Sequence, residues 1–335
     1  MKTDTANKIV GYITTNRQAR AHDIGRIFTI GQTAVHRQLN KLVEQGRVSK
    51  IGKPPLVFYV LAPQTQTASI TGRSSLLPAN TVAYIDKNYL YITPQGEMQY
   101  GMKGFDAWVK SIKEDARIVP LSEEYVQTRR QKESSRSPEG WIDATHKLNT
   151  TFSDNALTKL FYGDFYSIPK FGKTKLGNLV LYAKQSQNRQ LIDSAVEQVK
   201  PIVERIITIY AIDTIAFAPP SLPRKLQFMQ EFADRLDINL PKAQLVKSYK
   251  GDVIVPQKSL SGLAERVTNA RETIYLKFPL SVDSKNILLI DDAVGSGATL
   301  NETAKKLMVG NPNIEAIIGF AIVGSMKGFE VIREI

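Results

Sequence analysis

The chain of 335 residues contains no cysteine, so neither a disulfide nor a thiolate zinc site can form. Its three histidines, His22, His36 and His146, are widely spaced, which argues against a dedicated transition-metal site. No segment approaches the roughly 18 apolar residues of a membrane-spanning helix, and the N-terminus lacks the apolar stretch of a secretion signal. These absences favour a cytoplasmic protein, long enough for two or three domains.

Acidic residues are scarce at the N-terminal end of the chain. Residues 1–62 contain ten lysines and arginines but only three aspartates and glutamates, a balance of +7. Subtracting this from the net charge of +12 leaves +5 for the other 273 residues. Basic charge concentrated in a short segment indicates a polyanionic partner for that segment.

The pattern of residues 1–62 predicts three helices followed by a β-hairpin. We expect helices at residues 5–14, 21–28 and 32–45, the last stopped by Gly46. Strands are expected at residues 47–51 and 56–61, around a basic tip. In the third helix one apolar stripe is predicted to face the core, formed by Val35, Leu39, Leu42 and Val43.

This order of elements resembles a winged helix-turn-helix, whose third helix enters the major groove of DNA. Residues 33–61 are similar to the wings of bacterial transcription regulators over nearly their whole length. Arg37 and Asn40 could contact base edges, and nearby lysines could contact phosphates. The predicted DNA-binding residues are Gln32, Thr33, His36, Arg37, Asn40, Lys41, Lys50 and Lys53. A winged helix used for protein contacts is the alternative.

The middle of the chain carries no motif that points to chemistry. Residues 63–80 are polar and predict a linker. Residues 81–150 predict a small α+β region, with strands at 82–85 and 89–93 around a turn and a helix at 104–113. A basic cluster is predicted to be solvated or mobile, with a second polyanion contact as the alternative; it consists of Arg129, Arg130, Lys132 and Arg136.

Residues 151–335 alternate between apolar runs and amphipathic helices, which predicts a parallel sheet with helices on both faces. Helices are expected at residues 194–210, 224–236 and 302–309. The expected strands are at residues 213–218, 244–246, 287–290 and 316–323. The fold class is therefore α/β, preceded by the helical N-terminal segment and the small α+β region.

The most informative motif follows the predicted strand at residues 287–290. Two carboxylates, Asp291 and Asp292, lie where open α/β sheets bind ligands. A loop with two glycines follows at residues 295–298, and Thr299 is predicted to open a helix with Glu302 completing a capping box. Backbone amides at such a loop suit a phosphate, and paired carboxylates suit a vicinal diol. Phosphate and diol together are the features of ribose 5-phosphate.

This motif resembles the phosphoribosyl-pyrophosphate (PRPP) signature of type I phosphoribosyltransferases. Residues 256–269, with Gln257, Glu265, Arg266 and Asn269, narrow the resemblance to the competence-protein ComF-like branch. Residues 182–184 and 218–224 are similar to the lysine motif and the proline-rich pyrophosphate loop of that branch. The resemblance covers about half the chain. Two features differ: the four-cysteine zinc module of that branch has no counterpart here, and a glycine of its pyrophosphate region is missing from residues 225–230.

The resemblance implies a set of site residues and a cofactor. The PRPP-binding residues would be Asp291, Asp292, Ala293, Gly295, Ser296, Gly297, Ala298, Thr299, Lys184 and Arg224. Catalytic roles would fall to Asp291, Asp292, Lys258 and Arg266. Mg²⁺ would bind together with PRPP, without a metal site made by the protein alone. Residues 258–271 would form a lid loop, with an ordinary surface loop as the alternative.

Three functions are compatible with these features. The first is a DNA-binding transcription regulator that senses PRPP, a layout similar to purine-repressor-type regulators and expected to be a homodimer. The second is an active phosphoribosyltransferase with an accessory winged helix. The third is a DNA-binding interaction protein, such as an antitoxin or a defence-system component. The intact aspartates and phosphate loop weigh against the third, and the missing glycine weighs against the second. We therefore favour the regulator.

Overall fold

The structure is a computed structural model that describes residues 2–62 and 77–325, apart from the side chains of residues 2–4 and of Lys258. The chain divides into two compact units, Met1–Arg73 and Ser74–Ile335. Most of the predicted linker, residues 63–76, lies outside the described residues. Within the described ranges no helix is long and apolar enough to cross a membrane.

The N-terminal unit consists of three helices followed by an antiparallel hairpin. Its elements are α1 (Lys2–Asn16), α2 (Ala21–Phe28), α3 (Gln32–Glu44), β1 (Val48–Lys53) and β2 (Leu56–Leu61). Ala19 forms an isolated antiparallel β-bridge with Tyr59 of the hairpin. After α3, Gly46 has φ +65°, which glycine adopts without strain, and the helix ends there.

The predicted apolar stripe of α3 is present with one exception. Val35, Leu39 and Leu42 are buried against residues of α1, α2 and the hairpin. Val43 is 37% exposed, so its prediction as a core residue is wrong. The reason is geometric, because consecutive residues point about 100° apart around a helix and Leu42 already faces the core.

The C-terminal unit begins with a helical region that has an aromatic core of its own. Its elements are α4 (Ala79–Asn88), β3 (Leu90–Ile92), β4 (Met98–Tyr100), α5 (Gly101–Ser111) and α6 (Ile118–Glu133). Tyr89, Phe105 and Tyr125 pack edge to face or tilted against one another in this core. The predicted strand at 82–85 and turn at 86–88 are wrong, because these residues belong to α4, whose Thr81 and Ile85 are buried one turn apart.

Half of the basic cluster is solvated as the sequence predicts, because Arg130 and Lys132 are exposed, but Arg129 and Arg136 are not. Arg129 is 2% exposed and donates to Asp164 Oδ2 at 2.8 Å and to Glu133 Oε1 at 2.9 Å. Arg136 donates to Asp164 Oδ1 at 2.9 Å. Two arginines thus share one buried carboxylate, which the sequence could not reveal because Asp164 lies far along the chain. The cluster joins α6 to the central sheet.

A six-stranded sheet forms the centre of the C-terminal unit. The remaining elements are β5 (Ile142–Asp143), α7 (Thr145–Thr151), β6 (Lys159–Phe165), β7 (Ser167–Ile168), β8 (Gly172–Lys173), α8 (Lys175–Ser186), α9 (Arg189–Ile209), β9 (Thr214–Phe217), α10 (Phe228–Leu236), β10 (Lys242–Ala243), β11 (Leu245–Lys247), α11 (Leu263–Thr273), β12 (Ile274–Leu276), β13 (Asn286–Val294), α12 (Ala298–Gly310) and β14 (Ala316–Gly324). The strand order is β10-β9-β13-β14-β6-β5, parallel except at the β5 edge. The predicted α/β class with a parallel sheet is confirmed.

Helices cover both faces of this sheet, and the side chains of β13 show how. Leu288 and Ile290 pack in a cluster with residues of α8, α9 and α10. Ile287 and Leu289 pack in a second cluster with residues of α7 and α12. Since successive residues of a strand point to opposite faces, an unbroken apolar run is what a strand buried on both faces requires.

Candidate functional site

The two aspartates lie inside strand β13, not after its end as the sequence predicts. Asp291 pairs in register with Ala321 of β14, and pairing with β14 continues to Val294. On the other side, pairing with β9 stops at Ile290, opposite Phe217. Strand β9 ends at Phe217, so within the described residues β13 has no strand partner on this side beyond Ile290. Crevices at the carboxyl ends of strands are where open α/β sheets bind ligands.

The loop after β13 leads directly into helix α12. Gly297 is the residue before the helix and has φ +76°, a conformation that favours glycine. The first amides of α12 have no acceptor within the helix and carry the positive end of its dipole. The loop and the helix start therefore form a site suited to an anion.

The predicted capping box at this helix is wrong. Helix α12 begins at Ala298, so Thr299 is already in its first turn and Glu302 lies too far along to cap it. Glu302 is 1% exposed and accepts hydrogen bonds from Arg271 Nε at 2.7 Å and Lys305 Nζ at 2.8 Å. Through the bond from Arg271, Glu302 connects α11 to α12.

A cavity of about 230 Å³ opens beside these elements. The structure brings most of the predicted ligand residues to its wall: Lys184, Arg224, Arg266, Asp291, Asp292, Ala293, Gly295, Ser296, Gly297 and Thr299. Ala298 is not part of the wall, because its side chain is buried in the core beneath α12. The side chain of Lys258 lies outside the described part of the chain, so its role stays a prediction.

The two carboxyl groups differ in their ionisation. Burial and the charge of Asp292 raise the pKa of Asp291 well above its usual range. Burial acts on Asp292 in the same direction, but the ammonium of Lys184, which forms an ion pair with Asp292 Oδ2, outweighs it and lowers the pKa. The backbone N–H of Asp292 also donates to Asp291 Oδ1 at 2.8 Å. The environment of the pair therefore favours the ionised form of Asp292 more than that of Asp291.

Two arginines reach the cavity from other parts of the chain. Arg224, in the loop between β9 and α10, donates to the backbone carbonyl of Lys184 at the end of α8. Arg266 of α11 is 7% exposed and donates from Nε to the carbonyl of Leu260 at 2.9 Å. Its Nη2 is buried and has no hydrogen-bond partner among the described residues. Burial also lowers its pKa. Both side chains add positive charge at the cavity.

Several contributors to the site carry no signal in the sequence. The cavity has an apolar wall lined by Tyr166, Val180, Leu181, Leu222, Phe228 and Met229. Lys247, at the end of β11, donates to Asn269 Oδ1 at 3.0 Å and contacts Ser221 Oγ at 3.4 Å. Burial lowers the pKa of Lys247 to about 8, although the charge of Asp291 acts in the opposite direction. Only the tertiary fold places these residues together.

The segment predicted as a lid loop is largely helical. It begins with a short 3₁₀ turn at Gln257–Ser259 and continues as α11. Glu265 accepts a hydrogen bond from the backbone N–H of Gly262 at 3.2 Å, which stabilises the helix start. The prediction of a loop is therefore wrong here, while a lid function stays a prediction.

The donor set near the cavity agrees with Mg²⁺ that is bound through a ligand. Within the described residues there is no group of three or more His, Asp or Glu side chains that could hold a metal ion. Mg²⁺ commonly uses one or two carboxylates together with water and substrate phosphates. Asp291 and Asp292 supply a pair of this kind.

No protein-family model and no curated protein matches this chain. Similar solved structures include a hypoxanthine-guanine phosphoribosyltransferase from Bacillus anthracis, with a TM-score of 0.24, 13% identity, and 40% of this chain covering 65% of that one. For a hypoxanthine phosphoribosyltransferase from Staphylococcus aureus the TM-score is 0.25 and the identity 15%. That match covers 40% of this chain and 63% of the other. For a hypoxanthine phosphoribosyltransferase from Trypanosoma cruzi the TM-score is 0.27 and the identity 14%. That match covers 40% of this chain and 64% of the other.

In each case this chain spans less than two thirds of the length of the similar structure. The fold class stated above does not depend on these low scores, because it follows from the strand order and the helices on both faces.

Proposed function

We propose that this protein is a DNA-binding transcription regulator whose C-terminal unit binds PRPP, or another ligand containing ribose 5-phosphate, as its effector. The observation that carries the proposal is the cavity at the end of β13, which gathers two aspartates, a loop with two glycines and three basic side chains from distant parts of the chain. In this assignment residues 151–335 are a ComF-like type I phosphoribosyltransferase domain, and residues 1–62 are a winged helix-turn-helix.

Each part of PRPP has a matching group in the cavity wall. The loop from Gly295 to Gly297 and the first turn of α12 suit the 5-phosphate. The carboxyl oxygens of Asp291 and Asp292 can accept hydrogen bonds from the ribose diol. Lys184 and Arg224 line the same cavity and could balance the charge of the diphosphate. The ligand therefore places its negative charges beside cations.

Mg²⁺ is the metal we expect with this ligand. Asp291 and Asp292 would hold it together with oxygens of the ligand. When bound, Mg²⁺ neutralises charge on the diphosphate. The residues of the chain do the remaining work: the loop orients the phosphate and the arginines balance the other charges.

The N-terminal unit supports a DNA partner. All eight predicted DNA-binding residues are exposed, six on α3 and two on the hairpin: Gln32, Thr33, His36, Arg37, Asn40, Lys41, Lys50 and Lys53. Three helices followed by a hairpin, with the bridge at Ala19, agree with the winged helix arrangement. A homodimer would present two such units to two half-sites of double-stranded DNA.

One observation favours an active phosphoribosyltransferase as a second candidate. Arg266 is buried at the cavity, forms no ion pair among the described residues, and would stabilise the charge of a departing diphosphate. The missing glycine in residues 225–230 weighs against this candidate.

A titration of PRPP with Mg²⁺, scored both for operator affinity and for pyrophosphate release, separates these functions. A regulator requires PRPP to change DNA affinity with a coupling of about 1–3 kcal/mol, and DNA must change PRPP affinity by the same factor. Strong DNA binding that is indifferent to saturating PRPP, accompanied by pyrophosphate release, would support the transferase. If neither ligand bound, both functions would be abandoned in favour of an interaction protein.

A further inference from the structure

The side chain of Gln257 connects the 3₁₀ turn before α11 to the first turn of α12. Its Nε2 donates to the backbone carbonyl of Arg266 at 3.0 Å and to Thr299 Oγ1 at 3.2 Å. The amide orientation follows from chemistry, because a carbonyl oxygen only accepts hydrogen bonds and the NH₂ group must therefore face Arg266. Gln257 belongs to the motif at residues 256–269, but the sequence alone predicts no role for it.

This contact determines what the hydroxyl of Thr299 can do. Because Thr299 Oγ1 accepts a hydrogen bond from Gln257, its own hydrogen is available to another acceptor. Thr299 lines the cavity and lies in the first turn of α12, beside backbone amides that have no acceptor within the helix. Its hydroxyl is thus prepared to donate to an oxyanion bound at the helix start.

Gln257 also positions Arg266, which provides positive charge at the cavity. By bonding to the carbonyl of Arg266, Gln257 fixes the backbone from which that guanidinium extends. Arg266 Nη2, a donor, is buried without a hydrogen-bond partner among the described residues, and Arg266 lines the cavity. Unpaired buried polar atoms destabilise a fold, and a residue that keeps them commonly acts on a ligand.

We propose that Gln257 is a positioning residue for the phosphate group of the ligand. It keeps the Thr299 hydroxyl as a donor and holds Arg266 near the same cavity, so the site selects a phosphate monoester whose oxygens only accept hydrogen bonds. This inference rests on the proposed function, because it concerns the same site, and it adds a specificity-determining residue outside the phosphate loop.

A double-mutant cycle on ribose 5-phosphate affinity tests the proposal. The variants are Gln257→Met, which keeps the chain length and removes the donor, Thr299→Val, which removes the hydroxyl, and the double variant. If Gln257 acts by orienting Thr299, each single change weakens binding about ten-fold and the double change weakens it no more than the stronger single one.

Two controls separate positioning from a structural effect. Thr273→Val loosens α11 at its carboxyl end, because it removes the hydrogen bond from Thr273 Oγ1 to the carbonyl of Asn269, but it leaves the cavity wall untouched. We expect it to change the unfolding temperature and to leave ribose 5-phosphate affinity nearly unchanged. Thr299→Ser restores the hydroxyl and should rescue binding. If Gln257→Met does not fold, Gln257→Glu replaces it in the cycle.

The outcomes distinguish this inference from the proposed function. Additive losses of about a hundred-fold in the double variant, or no effect of Gln257→Met, would overturn the role of Gln257 while phosphate binding stands. If the wild-type protein bound neither ribose 5-phosphate nor PRPP, the proposed function and this inference would both fall.

Discussion

The two units of this protein both carry basic residues suited to a polyanion, but they hold the charges differently. In the N-terminal unit the predicted contact residues, such as Arg37, Lys41 and Lys53, are exposed to solvent. In the C-terminal unit Arg266 and Lys247 are partly or fully withdrawn from water, and Lys184 forms an ion pair with Asp292. Exposed charges act over a distance and are weakened by salt, whereas buried charges act on one ligand of fixed shape.

This difference predicts different behaviour at the two sites. DNA binding at the N-terminal unit should weaken steeply as the salt concentration rises, and many DNA sequences should bind with low affinity. Binding in the cavity should depend on single hydrogen bonds, since each buried group lost there has no water to replace it. Each prediction below tests one side of this contrast.

The largest effect is expected from replacing Asp291 and Asp292 together by Asn. Each lost charge-assisted hydrogen bond is worth roughly 1.5–3 kcal/mol, so PRPP affinity should fall by about two to four powers of ten. Of the single variants, Asp292→Asn should have the larger effect, because its pKa is lowered and that of Asp291 is raised. Calorimetry measures the affinities, and circular dichroism checks the fold. Unchanged affinity in a folded double variant would remove the diol assignment.

Gly297→Val should abolish the stabilisation that ribose 5-phosphate gives to the C-terminal unit. The valine is strained at φ +76° and places a branched side chain where the backbone must approach the phosphate. Gly172→Val is the matched control, because Gly172 has φ +77° and nothing within 4 Å of an added Cβ. Both variants should lose about 1–2 kcal/mol of stability. Only the Gly172 variant should keep its ligand-induced rise in unfolding temperature; continued protection of the Gly297 variant would place the phosphate elsewhere.

The contrast between the units also explains how much the sequence could predict. Local patterns predicted α2, α3 and the hairpin closely, because short helices and turns follow from neighbouring residues. The motif around Asp291 predicted the part of the cavity wall that one strand and one loop carry, but not the apolar wall. Two of the failures concern distant partners. Arg129 was expected in solvent because Asp164 lies 35 residues away, and Glu302 was assigned to a cap because Arg271 could not be seen to reach it.

Arg37→Ala should lower affinity for the preferred DNA site by roughly 1–3 kcal/mol and weaken the preference for that site. Arg37 is exposed on α3, where a base-contacting residue of this fold is expected. Lys41→Ala, on the same helix, is the matched control and should weaken preferred and unrelated sequences alike. Fluorescence anisotropy with both kinds of duplex measures the difference. Equal losses on all sequences for Arg37→Ala would argue against base contact.

Lys247→Met should stabilise the C-terminal unit at pH 7 by about 1–2 kcal/mol, a value reduced because the side chain is only half-buried. Its pKa is lowered to about 8, so below pH 8 the folded state holds a partly buried charge that the unfolded state keeps in water. As pH rises from 8 towards the usual lysine value, the folded state loses this proton first, and wild-type stability should rise. Denaturant unfolding should show that rise in the wild type and in exposed Lys242→Met, and not in Lys247→Met.

The smallest effect is expected from Lys53→Ala at the end of β1, next to the hairpin tip. Lys53 is exposed and pairs in register with Leu56, so its removal should leave the hairpin intact. A phosphate contact carries no sequence information, so binding should weaken by a similar factor on every duplex. The loss of one contact should reduce the slope of log affinity against log salt concentration by about one unit. Lys103→Ala, an exposed lysine of the C-terminal unit, should leave the slope unchanged. If Lys53→Ala also left it unchanged, the hairpin would lie away from the DNA, and the predicted contact surface would shrink to α3.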